Sequence, residues 1–351
     1  MRNVDVIVVG QGLAGTCLAL ELIRLSASVL VIDPAEPMTS SRIAAGLMTP
    51  VTGKRHVLAP DYFEWYAAAQ QFYREFEKLA SRQVLFLRDS LRAFQSPQER
   101  LEFEQNRMDL LPQLQGRLLE ETDPLWGRVS APYGGYLLPN VGQLDVAQFL
   151  DLAADLIARK AIRLVGQVDW SEVQFSEREV ILPLEEVTAR YVVACGGASD
   201  RLVPWFSHLG FLPAKGEILT LDNADWETES VIHGGIWIAP APGRGLSVGS
   251  NYEWQQLDTI PTEAVRESIL ERMSRLIPDW NPQVLEHRAA VRPAMKDQRP
   301  VVGILPAQPR LAILNGLGSR GSLLAPWLSA QLAGLLIHAE PLDPRIKTPV
   351  S

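Results

Sequence analysis

The stretch Val4–Asp33, VDVIVVGQGLAGTCLALELIRLSASVLVID, constrains the fold of this chain more than any other. An apolar run, Val4–Val9, reads as a buried strand and meets the turn Gly10-Gln11-Gly12-Leu13-Ala14-Gly15. Cys17, Leu18, Leu20, Leu22 and Leu25 then recur with helical spacing, and a second apolar run ends on Asp33. A strand, a glycine turn, a helix and a second strand make the unit that holds a dinucleotide. In it Gly10 permits the tight turn, Gly12 lets backbone approach a pyrophosphate, and Gly15 lets helix and strand pack closely. The helix start offers unpaired N–H groups and positive dipole to phosphate oxygens. Asp33, 18 residues after Gly15, stands where a carboxylate accepts from ribose hydroxyls. An acid there, rather than an arginine, argues against a 2′-phosphate ligand. The competing reading is a glycine turn in an ordinary α/β unit, and the motif alone does not separate NAD from FAD.

At 351 residues the chain exceeds the size at which single cores stop growing, so two domains are expected. Its net charge of −8 disfavours a broad nucleic-acid footprint, so no nucleic-acid partner is expected. Cys17 and Cys195 sit in apolar contexts and read as small buried hydrophobes in a reducing compartment. The five histidines show no ligand spacing with each other or with cysteine, so no metal site is expected. Asp5 interrupts what could imitate a signal peptide, and those residues are needed as the first strand. Leu323 to Ala339 contains Pro326, Ser329, Gln331 and His338, and falls short of the ~20 apolar residues of a membrane span. No transmembrane segment and a cytoplasmic location are therefore expected.

Further along, Ser40-Ser41-Arg42-Ile43-Ala44-Ala45-Gly46-Leu47-Met48 combines small residues with a glycine, which suits close packing against a bulky or flat group. Ser40 and Ser41 read equally as helix caps or as ligand contacts. Lys54, Arg55 and His56 read as a solvated basic turn. Tyr62 to Ala80 is an amphipathic, aromatic-rich helix whose rings read as core. Val84–Phe86 and Ala93–Phe94 read as strands, Pro97–Met108 and Leu144–Ala158 as helices. Tyr191-Val192-Val193-Ala194-Cys195-Gly196-Gly197 is a buried strand ending in glycines, the kind of end at which a doubly wound sheet binds its ligand. Strands and one helix, Thr262–Ile277, then mix without βαβ alternation, suggesting an antiparallel second sheet. Leu311–Leu314 runs through Asn315 to Pro326 into a last helix, and this second glycine-rich junction repeats the physics of the first.

These pieces together resemble the FAD-dependent D-amino-acid-oxidase-like oxidoreductases, nearest the branch of glycine oxidase and the tRNA wobble-uridine oxidase domain. The resemblance is carried by GQGLAG with Asp33, SSRIAAGLMTP, GGYLLPNVGQLDVAQFL, VVACGGASDRL, PAKGEILTL, VRPAMKDQRPVVG and NGLGSRGSLLAPWLSAQLA, in the family's order along nearly the whole chain. It implies FAD rather than NAD. It also implies a Rossmann-like α/β domain assembled from separated pieces (1–85, 141–210 and 288–351), with an α+β substrate domain (86–140 and 211–287) carrying a mixed or antiparallel sheet. By motif, Gly10, Gly12, Leu13, Ala14, Gly15, Asp33 and Pro34 would hold the ADP half. Ser40, Ser41, Arg42, Ala45, Gly46 and Met48 would line the flavin, and Val168 the adenine side. Gly196 and the run Leu317, Gly318, Ser319, Arg320, Gly321, Ser322 and Leu323 would approach the pyrophosphate and ring. Neither cysteine lies where some relatives attach flavin, which implies non-covalent FAD.

Within the resemblance Arg292 and Arg320 would anchor a substrate carboxylate. A guanidinium suits that task because it is permanently charged and forks onto a carboxylate. The alternative for Arg292 is a structural ion pair, for example with Asp297. Trp237 stands where glycine oxidase has a carboxylate-holding tyrosine, and its ring N–H donates but cannot accept. The expected reaction is oxidation of the C–N bond of a small amine or amino acid, with hydride to flavin, imine hydrolysis, and reoxidation by O2 (giving H2O2) or another acceptor. Lys296, Asp297, His233 and His56 are candidate bases, none of them singled out. Two other readings stand beside this one: oxidation of a carboxymethylaminomethyl group on tRNA, and a flavin-bearing scaffold or redox-responsive protein without turnover.

Overall fold

The computed structural model describes residues 1–53, 55–223, 226 and 228–349. Two sheets organise the chain. In the first, five strands run parallel in the order Ile162–Val165, Val29–Asp33, Arg2–Val9, Val187–Ala194, Gln308–Asn315. Val301–Leu305 pairs antiparallel with Gln308–Asn315, and Val180–Leu182 lies antiparallel along the first half of Val187–Ala194. Parallel strands buried on both faces need apolar residues at successive positions, which explains the runs IVV, VLVI and VVA. Val6, Val8, Val31, Val193, Ala312 and Leu314 face one apolar layer, formed with the helices Leu13–Arg24, Tyr62–Ala80, Val146–Lys160 and Gly321–His338. Ile7, Leu30, Ile32, Val192, Leu311 and Ile313 face the other, under Phe206 and Val168.

The helix Gly321–His338 carries a proline inside its first turns, and the packing accommodates it. Pro326 has no N–H to give the carbonyl of Ser322, four residues back. That carbonyl instead accepts from the fully buried Tyr73 hydroxyl at 2.9 Å. The Tyr62–Ala80 helix thereby supplies the donor that its neighbour lacks.

The second sheet has nine strands, in the order Val284–Arg292, Ala214–Leu221, Gly245–Gly249, Trp237–Ala241, Val231–His233, Leu85–Ala93, Gly135–Leu144, Leu47–Met48, with Arg117–Leu119 also on Gly135–Leu144. One pair, Val231–His233 with Leu85–Ala93, is parallel and the rest are antiparallel, so the sheet is mixed. Leu219, Leu221, Ile232, Ile238 and Val248 pack on one face against Ile269, Met273 and Leu276 of the helix Glu263–Leu276. The opposite face carries Gly216, Ile218, Trp237 and Ala290.

Two local readings are corrected here. Leu85–Ala93 is one strand rather than two: the polar Arg88 in its middle is buried and donates to Gln143 of the neighbouring strand at 2.6 Å. His56 is not a solvated turn residue. It is 2% exposed, sits edge-on among Phe94, Phe103 and Tyr136, and contacts the Tyr136 hydroxyl and the Glu99 carboxylate at 2.9 and 2.8 Å. Lys54 lies outside the described residues. No helix among the described residues is long and apolar enough to cross a membrane.

Candidate active site

The C-terminal ends of four parallel strands (Val9, Asp33, Cys195, Asn315) open into a cavity of about 1860 Å3 that the second sheet closes on the far side. A site for one small ligand spans about 300–1,000 Å3, so this one has room for a dinucleotide and a substrate together. At its sheet end the chain bends on Gly10 with φ +102°, and any side chain there would come within 2.5 Å of the Cys195 carbonyl oxygen. A side chain at Gly15 would collide with the Gly10 carbonyl, so Gly15 seats the helix on the strand and does not line the cavity. Gly12 also lines the cavity, and a side chain there would press on the Ser41 hydroxyl at 2.9 Å. Asp33 is pinned at the rim by the N–H groups of Gln11 (2.6 Å) and Ala35 (2.7 Å).

Two helix N-termini, Leu13–Arg24 and Gly321–His338, meet at this cavity, and Leu13 touches the space beside Gly321. Their first-turn N–H groups lack acceptors within the helices and their dipoles add. Ser41 accepts from the Leu13 N–H at 3.1 Å. Leu13, Ala14, Pro34, Ser40, Ala45, Gly46, Val168, Gly196, Leu317, Gly318, Ser319, Gly321 and Ser322 also line the cavity. A glycine turn, an acid after the second strand and two converging helix starts fit FAD, whose ribose and pyrophosphate need that donor and acceptor set.

Four further residues expected at the ligand do not line the cavity. Met48 and Leu323 are buried in packing, and Arg42 reaches away to Asp151 at 2.8 Å. Arg320 donates to the Gln298 carbonyl at 2.7 Å, because its helix-start position aims the side chain back along the chain. Its guanidinium is therefore no part of a carboxylate clamp in this structure.

Arg292 does line the cavity, and its setting is built for a guanidinium. It donates to the Ser250 hydroxyl at 2.7 Å and to the Asn251 carbonyl at 3.1 Å, and lies 4.6 Å from the Tyr252 ring centroid. Gly216, on the adjacent strand, leaves the space that the guanidinium occupies, since any side chain there would collide with it. The suggested partner Asp297 is instead paired with Lys347 at 2.8 Å, so no carboxylate of the described residues neutralises Arg292. Burial pulls its pKa down from the usual arginine value. Ser250, Asn251 and Tyr252 were missed by the sequence reading; the one signal was their place after the glycine-bounded strand Gly245–Gly249. Trp237 lies on the cavity floor with its ring over Gly249, where a methyl group would come within 2.7 Å of it.

Of the candidate bases only His233 lines the cavity. Burial, with Arg92 adding to it, pushes its imidazole down to about 3, far from the near-neutral pKa that suits a base at pH 7. Both ring nitrogens of His56 are engaged by Tyr136 and Glu99. Lys296 lines a separate small pocket. A buried carboxyl group, Asp200, completes the wall: it accepts from the Gly196 N–H (2.9 Å) and the Asn315 amide (2.7 Å), and burial pushes it up to about 7. Among the described residues no group of three or more His, Cys, Asp or Glu is placed to hold a metal.

A doubly wound sheet presenting a glycine turn to a cavity, closed by a second sheet, is the mark of a dinucleotide-dependent enzyme. The chain belongs to the FAD dependent oxidoreductase family, whose model matches residues 5–335. It is a flavin-dependent oxidoreductase with the glycine-oxidase type of fold. It is 23% identical over 97% of its length to a "tRNA 5-methylaminomethyl-2-thiouridine biosynthesis bifunctional protein MnmC" of Legionella pneumophila, and spans 55% of that relative. It is 30% identical to the glycine oxidase of Bacillus subtilis over 45% of this chain and 44% of that one. The solved glycine oxidase of Geobacillus kaustophilus superposes with a TM-score of 0.85 at 18% identity over 98% of both chains, a likeness of fold.

Proposed function

We propose that the protein oxidises the C–N bond of a small amine or amino acid that presents a carboxylate to Arg292. The observation that carries this reading is the uncompensated guanidinium of Arg292, held by Ser250, Asn251 and Tyr252 inside the cavity. A charge left without a counter-ion in a partly desolvated site costs free energy, and an anionic ligand relieves that cost. Bound flavin would supply the two-electron oxidation. Gly10, Gly12, Ala14, Asp33 and the Gly321–His338 helix start would hold it. We take its attachment to be non-covalent: burial raises the thiol pKa of both cysteines, so neither is a ready thiolate nucleophile. Arg292 would fix the substrate's α-carbon, and Trp237 would limit its side chain. None of Lys296, Asp297, His233 and His56 is poised over the cavity as a base at neutral pH, and the Asp200 carboxyl is engaged by the Gly196 N–H and the Asn315 amide, so the amine would enter already deprotonated. The chain pieces 1–85, 141–210 and 288–351 would form the cofactor domain, and 86–140 with 211–287 the substrate domain. The electron acceptor, O2 or another, and a cytoplasmic setting belong to the same proposal.

A visible spectrum followed by anaerobic addition of glycine, sarcosine, D- and L-amino acids and proline tests this. A yellow protein bleached by one of these classes is the expected result; a colourless protein that takes up no FAD would sink the reading. A second reading, oxidation of a carboxymethylaminomethyl group on tRNA, is supported by the match to the bifunctional relative along 97% of this chain. Bleaching by undermodified tRNA and by none of the small amines would favour it.

A further inference from the structure

Beyond Trp237 the cavity continues to an end lined by Arg92, Gln95, His233, Gly235 and Arg272. Two of its parts share one rung of the second sheet with Trp237: Arg92 is the register partner of His233, and His233 of Trp237. The same rung continues to Gly249, beside the Ser250 that holds Arg292. Arg272 reaches in from the helix Glu263–Leu276 towards the Gly235 carbonyl.

The charges at this end are unevenly satisfied. Glu99 receives His56 and the Gln95 N–H, and Glu102 receives Gln98. Among the described residues the arginines hydrogen-bond only to carbonyls: Arg92 donates to Gly53 at 2.6 Å with its charge also felt by Glu99, and Arg272 donates to Ser268 at 3.1 Å and Gly235 at 3.4 Å. Neither forms an ion pair among the described residues. On the strand beside that of Arg92, the buried Nε2 of His233 has no hydrogen-bond partner among the described residues, and as the Nε2–H tautomer it is a further donor. Two unpaired guanidinium groups and one orphaned imidazole facing the same space form a built anion site.

We propose that this end is a second anion subsite, so that the substrate is an amine bearing two anionic groups, one met by Arg292 and the other, a carboxylate or a phosphate, met by Arg92 and Arg272. The inference rests on the carboxylate reading of Arg292 given above and narrows its substrate class. Four strand spacings of about 4.8 Å separate the Ala214–Leu221 strand, over whose Gly216 the Arg292 guanidinium lies, from the strand of Arg92, about 19 Å in all. Allowing about 3 Å for each charged hydrogen bond and for the reach of the side chains, the two anions stand about 11–15 Å apart. Glycine and sarcosine, with a single carboxylate, leave this end empty.

Unreactive ligands test the idea without turnover. The purified protein with its cofactor is titrated, by calorimetry, with straight-chain dicarboxylates of eight to fourteen carbons, with monocarboxylates of equal length, and with ω-phosphonocarboxylates. The native protein is expected to bind its best dianion at least tenfold tighter than the matching monocarboxylate, with an optimum in chain length. Whichever of the dicarboxylate and phosphonate arms binds tighter identifies the second anion. Arg92→Gln and Arg272→Gln are each expected to bring that ratio below about twofold; the second alters a half-buried helix side chain away from the Gly53 loop and keeps the test valid should the first disturb that loop. A native ratio near one, or a ratio that survives in both variants, overturns the second subsite. Arg292→Gln is expected to weaken both ligand classes; if it weakens neither, the clamp itself is wrong and both readings fall.

Discussion

Single residues decide how the candidate clamp works. Gly216 is the most exacting, because its missing side chain is the room in which Arg292 lies. Gly216→Ala should push the guanidinium off the Ser250 hydroxyl and raise KM for carboxylate substrates about tenfold, with kcat and folding little altered. Steady-state kinetics beside a melting curve checks this, and an unchanged KM would show that the guanidinium can shift without loss. Arg292→Ala should cost carboxylate substrates far more than Arg320→Ala, since the latter side chain spends itself on the Gln298 carbonyl. Asp200 gives a pH signature. Its folded pKa is raised from 3.8 to about 7, so the protonated form is favoured in the fold. The resulting stability is complete below about pH 4 and is lost as pH rises through 7, a difference of at most ~4 kcal/mol. Asp200→Asn, which keeps the shape and an acceptor for the Asn315 amide, should flatten the fall in Tm between pH 5 and pH 8. Parallel slopes in the two proteins would place the charge elsewhere.

At the scale of elements, Tyr73 and Pro326 form a matched pair between two helices. Tyr73→Phe leaves the buried Ser322 carbonyl without a donor and should destabilise the protein by about 1–3 kcal/mol in chemical denaturation. A loss below about 0.3 kcal/mol would mean that another group reaches that carbonyl. The same elements show what was legible in the sequence. The helix Tyr62–Ala80 was readable to its end residues because its aromatic spacing is a local property. The strand Leu85–Ala93 was not, since its central Arg88 is tolerated only by partners remote in the chain, Gln143 and Glu229. His56 was misread for the same reason: its partners Glu99 and Tyr136 lie 43 and 80 residues away. The first glycine turn was legible because its function is backbone geometry. The aim of Arg320 was not, because a side chain's direction depends on neighbours that the sequence does not name.

At the scale of the whole molecule, the cavity separates the strand ends of the first sheet from one face of the second, where only a small cluster of Ile43, Ile218, Ala290 and Trp237 forms among the described residues. FAD should therefore act as a third layer. At a concentration one hundred times its Kd it would add about 2.7 kcal/mol to stability. Tm measured against FAD concentration should climb with the logarithm of that concentration once the site is saturated, and ADP alone should reproduce only part of the rise. A flat profile would detach the glycine turn from nucleotide binding.

The pairing of Arg2–Val9 with Val187–Ala194 also has a consequence in time. The first strand leaves the ribosome about 180 residues ahead of its neighbour on one side. At about 5–20 residues per second, that edge of an apolar strand waits on the order of ten to forty seconds. The outer partner of Val187–Ala194, Gln308–Asn315, arrives later still. This enzyme's nucleotide-binding unit is thus begun before the second sheet and completed after it, and the waiting strand edge is a place in need of protection from aggregation during synthesis.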